Sequence, residues 1–307
     1  MPLRFLSPTY WPTWLGLALL RLFERLPHSL LIRAGHAIGW IARRLPLNYV
    51  QVARCNLRLC LPELSEGERE QLLDRHFQAL GVCLCESAMT WWSSDERIDR
   101  LASIEGLEHL KEALAAGRGA ILLTAHFTTL EIGARILNGV IPLNVLYRPP
   151  KNALLAYVAE RHRGRRAMST IGRDDIRGMV RALRNNGCVW YAPDQSYRKK
   201  GAEMVRFFGV PAATNVFTSR LARLTGAAVL TFSHERLPGA AGYRVRIGPA
   251  LQGFPSACAV SDAERFNSFI EAEVRRIPEQ YWWIHRRFKG LTLDYPNYYG
   301  RAARREA

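Results

Sequence analysis

The run Gly119-Ala-Ile-Leu-Leu-Thr-Ala-His126-Phe-Thr-Thr-Leu-Glu131-Ile-Gly-Ala-Arg135 joins a short apolar stretch to a helix pattern that opens around a carboxylate. The apolar stretch has the signature of a buried strand, and His126 falls at its carboxyl end, where open α/β sheets gather their ligands. Working outward, apolar runs at residues 120–125, 143–147, 168–171, 188–192, 228–233 and 243–247 alternate with amphipathic segments at 129–138, 152–163, 174–185, 214–225 and 262–277. This alternation predicts an α/β fold, a mostly parallel central sheet flanked by helices.

Upstream, residues 11–26 and 29–44 read as two apolar helices broken at Pro27 and interrupted by Arg21, Glu24, Arg25, Arg33 and His36. A bilayer span needs about 20 predominantly apolar residues. The better reading is a membrane-associated segment lying in the interface, with Trp11, Trp14 and Trp40 at headgroup depth and arginine stems snorkelling. A pair of helices packed on a soluble core is the competing reading. The expected organisation is an anchoring segment over residues 1–46 and a single α/β domain over 47–307. Ser65-Glu-Gly-Glu68 is a capping box, and it opens a scaffold helix ending near Trp91-Trp92, two aromatics read as core or as a wall for an acyl chain.

The formal net charge of +16 requires an anionic partner, and residues 148–206 hold 14 Lys and Arg against five acids. Nucleic acid is excluded as that partner on motifs, because there is no RNP-like run, zinc-finger spacing or basic heptad helix. Cys55, Cys60, Cys83, Cys85, Cys188 and Cys258 lack paired C-x-x-C spacing, which argues against a zinc site and for reduced thiols in a chain facing the cytoplasm.

For chemistry, His126 and Glu131 form a candidate dyad in which the carboxylate receives one imidazole N–H and the other nitrogen acts as a base. The spacing alone carries no weight, since eight His and 27 acids in 307 residues give roughly 0.7 such pairs by chance. A histidine satisfied by a backbone carbonyl, with Glu131 as a helix-start charge, is the competing reading. There is no G-x-S-x-G elbow and Cys188 lies inside an expected strand, so no nucleophile is evident. A base alone suffices for direct attack of a substrate hydroxyl on an activated ester, with no cofactor. Arg148 and Lys151 follow the strand ending at Tyr147 and belong on the same rim as His126, where cations suit phosphate or a developing oxyanion. Arg163, Arg165 and Arg166 extend that basic run, and Asp194 ends another strand as an acid that orients an Arg or a substrate hydroxyl, or as a helix or turn cap.

The segments Thr124–Arg135, Val145-Leu-Tyr-Arg-Pro149, Asp175-Ile-Arg-Gly-Met179, Val189-Trp-Tyr-Ala-Pro-Asp194 and Pro278–Lys289 together resemble the lipid A biosynthesis lauroyl/myristoyl acyltransferases, within the lysophospholipid acyltransferase superfamily. Between His126 and Glu131 the wording looks closer to the lauroyl branch. The resemblance implies a glycerol-phosphate-acyltransferase-like fold. It also implies an enzyme at the cytoplasmic face of the inner membrane that moves a fatty acyl chain from acyl carrier protein to a hydroxyl of a Kdo-bearing lipid A precursor, among membrane phospholipids. By position, His126 matches the general base and Glu131 its partner, and Arg163 and Asp194 match further positions needed for activity. Acylation of a lysophospholipid, ornithine lipid or glycolipid is the alternative within the same chemistry.

Overall fold

The structure, a computed structural model, describes residues 2–164 and 169–300. Helices α1 (Trp11–Glu24), α2 (His28–Arg44), α3 (Asn48–Cys60) and α4 (Glu66–Trp92) open the chain. Ser65 caps α4 as its sequence foretells, accepting from the Glu68 N–H while the Glu68 carboxylate takes the Ser65 N–H. A short α5 (Asp95–Asp99) leads to β1 (Ala102–Glu105), α6 (Leu107–Ala115), β2 (Ala120–Leu123), α7 (Leu130–Asn138), β3 (Leu143–Tyr147) and α8 (Ala153–Gly164). Next come β4 (Ser169–Gly172), α9 (Ile176–Arg184), β5 (Cys188–Tyr191), β6 (Ala202–Phe207), β7 (Val210–Asn215), α10 (Phe217–Thr225), β8 (Ala228–Arg236), β9 (Tyr243–Ala250) and α11 (Ala259–Arg276).

Seven strands form one sheet in the order β1-β9-β8-β2-β5-β3-β4. From β8 to β4 every pairing is parallel; only β8 and β9 run antiparallel, so β9 and β1 are the reversed edge. The expected α/β fold with a mostly parallel sheet between helices is therefore observed. In β2 all four residues are buried, and alternation divides them between two cores. Ile121 and Leu123 face a cluster with Leu183 of α9, Leu221 of α10 and Ile270 of α11. Ala120 and Leu122 face Leu31 of α2, Leu110 of α6 and Leu137 of α7. Helix α4, about 40 Å long at 1.5 Å per residue, serves both cores, contributing Leu72, Leu73 and Phe77 to the first and Val82, Cys85 and Met89 to the second.

Helix α2 lies so close to α4 that glycines are required at the crossing. A Cβ on Gly39 would sit 2.0 Å from the Phe77 carbonyl oxygen, and one on Gly81 would sit 2.1 Å from that of Gly35. Its inner face, Leu31 and Ile32, is core, so the second N-terminal helix is packed on the fold as the competing reading anticipates. Helix α1 behaves differently. Leu17 is buried in a small cluster with Phe5, Leu154 and Val158, against which Trp91 and Trp92 pack half-buried. Its other side exposes Trp11, Leu15, Leu19 and Leu22, each between 47 and 63% accessible. Among the described residues no helix is long and apolar enough to cross a membrane.

Several elements lie outside the sequence expectation. Strand β1 is a four-residue edge with two polar residues, and β6–β7 form a separate two-stranded antiparallel sheet. That hairpin turns at Phe208 and Gly209, both at positive φ, the geometry of a tight primed turn. Phenylalanine at the first position hides the turn signal; here its N–H is taken by Glu271 Oε1 at 2.7 Å. Thr214 and Asn215 consequently end a strand, not start a helix. The expected strand start at Met168 and the side chains of Arg163, Arg165 and Arg166 lie outside the described residues.

Candidate active site

Strands β2 and β5 run parallel in register, Ala120 opposite Cys188 and Leu123 opposite Tyr191, and the ladder continues with the Thr124 N–H donating to the Tyr191 carbonyl at 3.0 Å. The two chains keep this offset past the strand ends, which delivers His126 and Asp194 at the same height. Asp194 Oδ2 accepts the backbone N–H of His126 at 3.0 Å, and Asp194 Oδ1 lies 2.6 Å from His126 Nδ1. Tyr281 donates its hydroxyl to Oδ2 at 3.2 Å. A carboxylate only accepts, so Nδ1 carries the proton and Nε2 is left as the basic atom of the ring.

Burial works against charge on both members of the pair and is outweighed on both. For His126, desolvation lowers the pKa, but the Asp194 charge and hydrogen bond leave it raised above 6.5. For Asp194, 3% exposed, burial raises the pKa, and the His126 charge with its ring and backbone hydrogen bonds brings it below 3.8. Such a pair stabilises an imidazolium while keeping one tautomer of the neutral base.

The His126 side chain is 25% exposed and lines a cleft of about 350 Å³ at the carboxyl ends of the strands. Leu130, Leu146 and Trp190 form an apolar wall, and Arg148 and Arg173 stand on the basic side. Arg148, which follows β3, thus lines the same cleft as His126. Lys151 is exposed but does not line this cleft. Arg163 lies in the last turn of α8.

The hydrogen bond expected of Glu131 is made instead by Asp194. Glu131 occupies the first turn of α7, half-buried, after residues 127–129 have turned the chain away from the sheet. A neighbouring strand in register meets the imidazole more directly than a residue five positions on along the same chain. Asp194 was expected to touch substrate or cap a turn; it is buried against the histidine.

Other residues of the site carried no assigned role in the sequence. The segment around Pro278–Lys289 forms the floor: the Trp282 N–H donates to the His126 carbonyl at 2.9 Å, and the Thr128 N–H to that of Gln280 at 2.7 Å. His285 Nε2 accepts the Ser196 N–H at 3.1 Å and fixes the loop after Asp194; burial lowers its pKa to about 4, so it stays a neutral acceptor. Buried His234 bridges Thr124 and Thr129 behind the dyad, its pKa lowered by burial to about 3. Arg236 anchors the floor from below, one edge of its guanidinium donating from Nε and Nη2 to the two Glu86 carboxylate oxygens at 2.6 Å each, while its backbone exchanges hydrogen bonds with the Gln280 amide.

A base held in one tautomer at the mouth of a partly apolar, partly cationic cleft suits transfer of an acyl group to a hydroxyl. Residues 2–290 match the family described as bacterial lipid A biosynthesis acyltransferase. The chain belongs to this family. It is accordingly an acyltransferase of the lipid A biosynthesis type. The lipid A biosynthesis palmitoleoyltransferase of Escherichia coli K12 is 42% identical over 286 residues, 93% of each chain. The lauroyltransferase of the same strain is 37% identical over 295 residues, 96% of each chain. The myristoyltransferase is 27% identical over 282 residues, 91% of this chain and 87% of the relative. This acyltransferase is thus more similar to the lauroyl relative than to the myristoyl one, in line with the residues between His126 and Glu131, and similar to a palmitoleoyl relative as well.

Proposed function

We propose that this acyltransferase moves a lauroyl-type acyl chain from acyl carrier protein to the 3-hydroxyl of an acyl chain on a Kdo-bearing lipid A precursor. His126 Nε2 takes the hydroxyl proton as the oxygen attacks the thioester carbonyl. The carbon–sulfur bond then breaks, and the imidazolium returns its proton to the leaving thiolate. Asp194 holds the ring and stabilises the imidazolium. Glu131 adds a half-buried negative charge near the same strand end. Arg148 faces the developing oxyanion or a substrate phosphate, and Lys151 and Arg163 bind phosphate on the outer rim. The reaction needs no cofactor.

The work takes place at the cytoplasmic face of the inner membrane, the anchoring segment of residues 1–46 meeting the bilayer through α1 while its second helix, α2, packs on the catalytic domain of residues 47–307. Supporting this, Thr13 of α1 accepts a hydrogen bond from Asn152 at 2.9 Å, which ties the helix with the exposed apolar side to the loop after Lys151. Acyl tails leaving the phospholipid layer then enter beside the cationic rim.

The observation that carries the reading is the Asp194-held imidazole lining a cleft that Arg148 also lines. The test is mass spectrometry of lipid A from cells with and without this chain, joined to transfer assays with labelled acyl carrier protein. Loss of one acyl group from lipid A on deletion supports it and gives the chain length. Intact lipid A, with transfer to a lysophospholipid or glycolipid in vitro, assigns the acceptor to the other lipid class.

A further inference from the structure

Helix α9 leaves the cleft almost at its lip. Arg173 and Asp174 line the cleft, the Arg173 N–H donates to the Tyr147 carbonyl at the end of β3, and Asp175 caps the helix through the Gly178 N–H at 2.9 Å. The sequence Ile176-Arg-Gly-Met-Val-Arg-Ala-Leu-Arg184 then divides cleanly. Met179 and Leu183 are buried on the sheet, while Arg177, Arg181 and Arg184 are exposed at helical spacing, and the helix contains no acid. None of the three arginines makes an ion pair with another described residue, whereas most arginines around Glu70 and Glu235 do. The lip continues this field with exposed Arg148, Arg198, Lys199 and Lys200, Lys199 being tied to Asp174 at 2.8 Å. Ile176, 47% exposed, adds one apolar contact where the stripe meets the cleft.

An uncompensated row of like charge on a folded helix is mildly destabilising for its own chain, and a partner of opposite sign recovers that energy. The row is one helix long, about 13 Å at 1.5 Å per residue, which matches an acidic helix better than an extended surface. It also starts at the cleft mouth, where Arg173 and Asp174 line the opening that His126 shares, so a partner seated on it lies beside that opening. The apolar side of α1, with Trp11, Leu15, Leu19 and Leu22 exposed against Ile176 alone on this helix, is the surface suited to a membrane.

We infer that the exposed arginine stripe of α9 is the docking surface for an acidic helix of the carrier protein that delivers the acyl thioester. This rests on the carrier-protein donor proposed above. Three arginines replaced together, Arg177→Gln, Arg181→Gln and Arg184→Gln, are expected to raise KM for acyl carrier protein at least tenfold at low salt and to remove most of its salt dependence. Turnover of the same acyl chain on free pantetheine should stay within twofold, because no residue of the cleft is altered. The corresponding triple Glu variant should be weaker still toward the carrier, and circular dichroism checks that both variants fold.

An unchanged KM for the carrier-bound donor overturns the inference. So does an equal loss with the pantetheine donor, which makes α9 part of the reacting site. Lost binding to anionic vesicles with normal carrier KM overturns it too, by making the stripe a membrane contact. If the wild-type enzyme shows no preference for the carrier over pantetheine, the donor reading itself fails, a result visible without any variant.

Discussion

Asp194 holds His126 twice, accepting its backbone N–H at 3.0 Å and facing its ring Nδ1 at 2.6 Å. One carboxylate therefore sets both the position of the residue and the tautomer of its ring. Asp194→Asn keeps the shape but offers an amide where a full negative charge stood, so the basic nitrogen and the imidazolium both lose support. We expect kcat to fall by about 10²-fold or more, comparable to His126→Ala. Steady-state transfer within threefold of wild type by a folded Asp194→Asn enzyme excludes the orienting role.

The pH dependence has a defined sign. A base must be neutral to act, and the raised pKa of His126 places the acid limb of kcat/KM above 6.5. Tyr281 withdraws charge from the same carboxylate. In Tyr281→Phe the carboxylate holds the imidazolium more firmly, so the limb moves to higher pH. A purely structural role for Tyr281 predicts lower activity with an unmoved limb, which a pH–rate profile distinguishes.

Acid should unfold this protein through histidines that stay neutral inside it. Burial lowers the pKa of His76 to about 4, His234 to about 3 and His285 to about 4. The unfolded chain takes up these protons near 6.5, so stability present above that pH is lost as pH falls toward 4. Each group contributes about 1.4 kcal/mol per pH unit across that window. The melting temperature should drop steeply below pH 6, and His76→Asn should flatten the drop; an identical slope in the variant counts against the assignment.

Two glycines give opposite forecasts for one substitution. Gly39→Ala forces a methyl group against the Phe77 carbonyl, and it should cost at least about 1–3 kcal/mol as an overpacked contact. Gly16→Ala meets nothing within 4 Å on α1 and should be neutral or stabilise by about 0.5–1 kcal/mol. Chemical denaturation of both variants tests whether α2 is fixed on α4 while α1 has free surface.

If α1 meets the membrane through Trp11, Leu15, Leu19 and Leu22, then serine at Leu15 and Leu19 should weaken vesicle sedimentation several-fold. The melting temperature in solution should barely move, because these side chains are exposed. Unaltered sedimentation places the contact elsewhere.

Much of the fold is legible in the residues because buried parallel strands must be continuously apolar and must alternate with helices. Residues 143–147 appear as a strand at the expected bounds, and the capping box at Ser65 starts the helix it announces. The β6–β7 hairpin is missed because its turn uses Phe208, a residue that rarely takes positive φ. Of the candidate site, the positions of His126 and Arg148 are legible, because both follow strand ends. Its floor of Gln280, Tyr281 and His285 is recognisable in the sequence only as a motif, with no indication of what it touches.

By itself the sequence determined that a histidine would stand at the carboxyl end of a central strand beside a basic rim. Periodicity and strand ends are local properties, encoded within a few residues of one another. Only the tertiary structure decided which carboxylate that histidine would meet. Asp194 lies 68 residues away in the chain, and it is the parallel register of β2 on β5 that brings it to the imidazole.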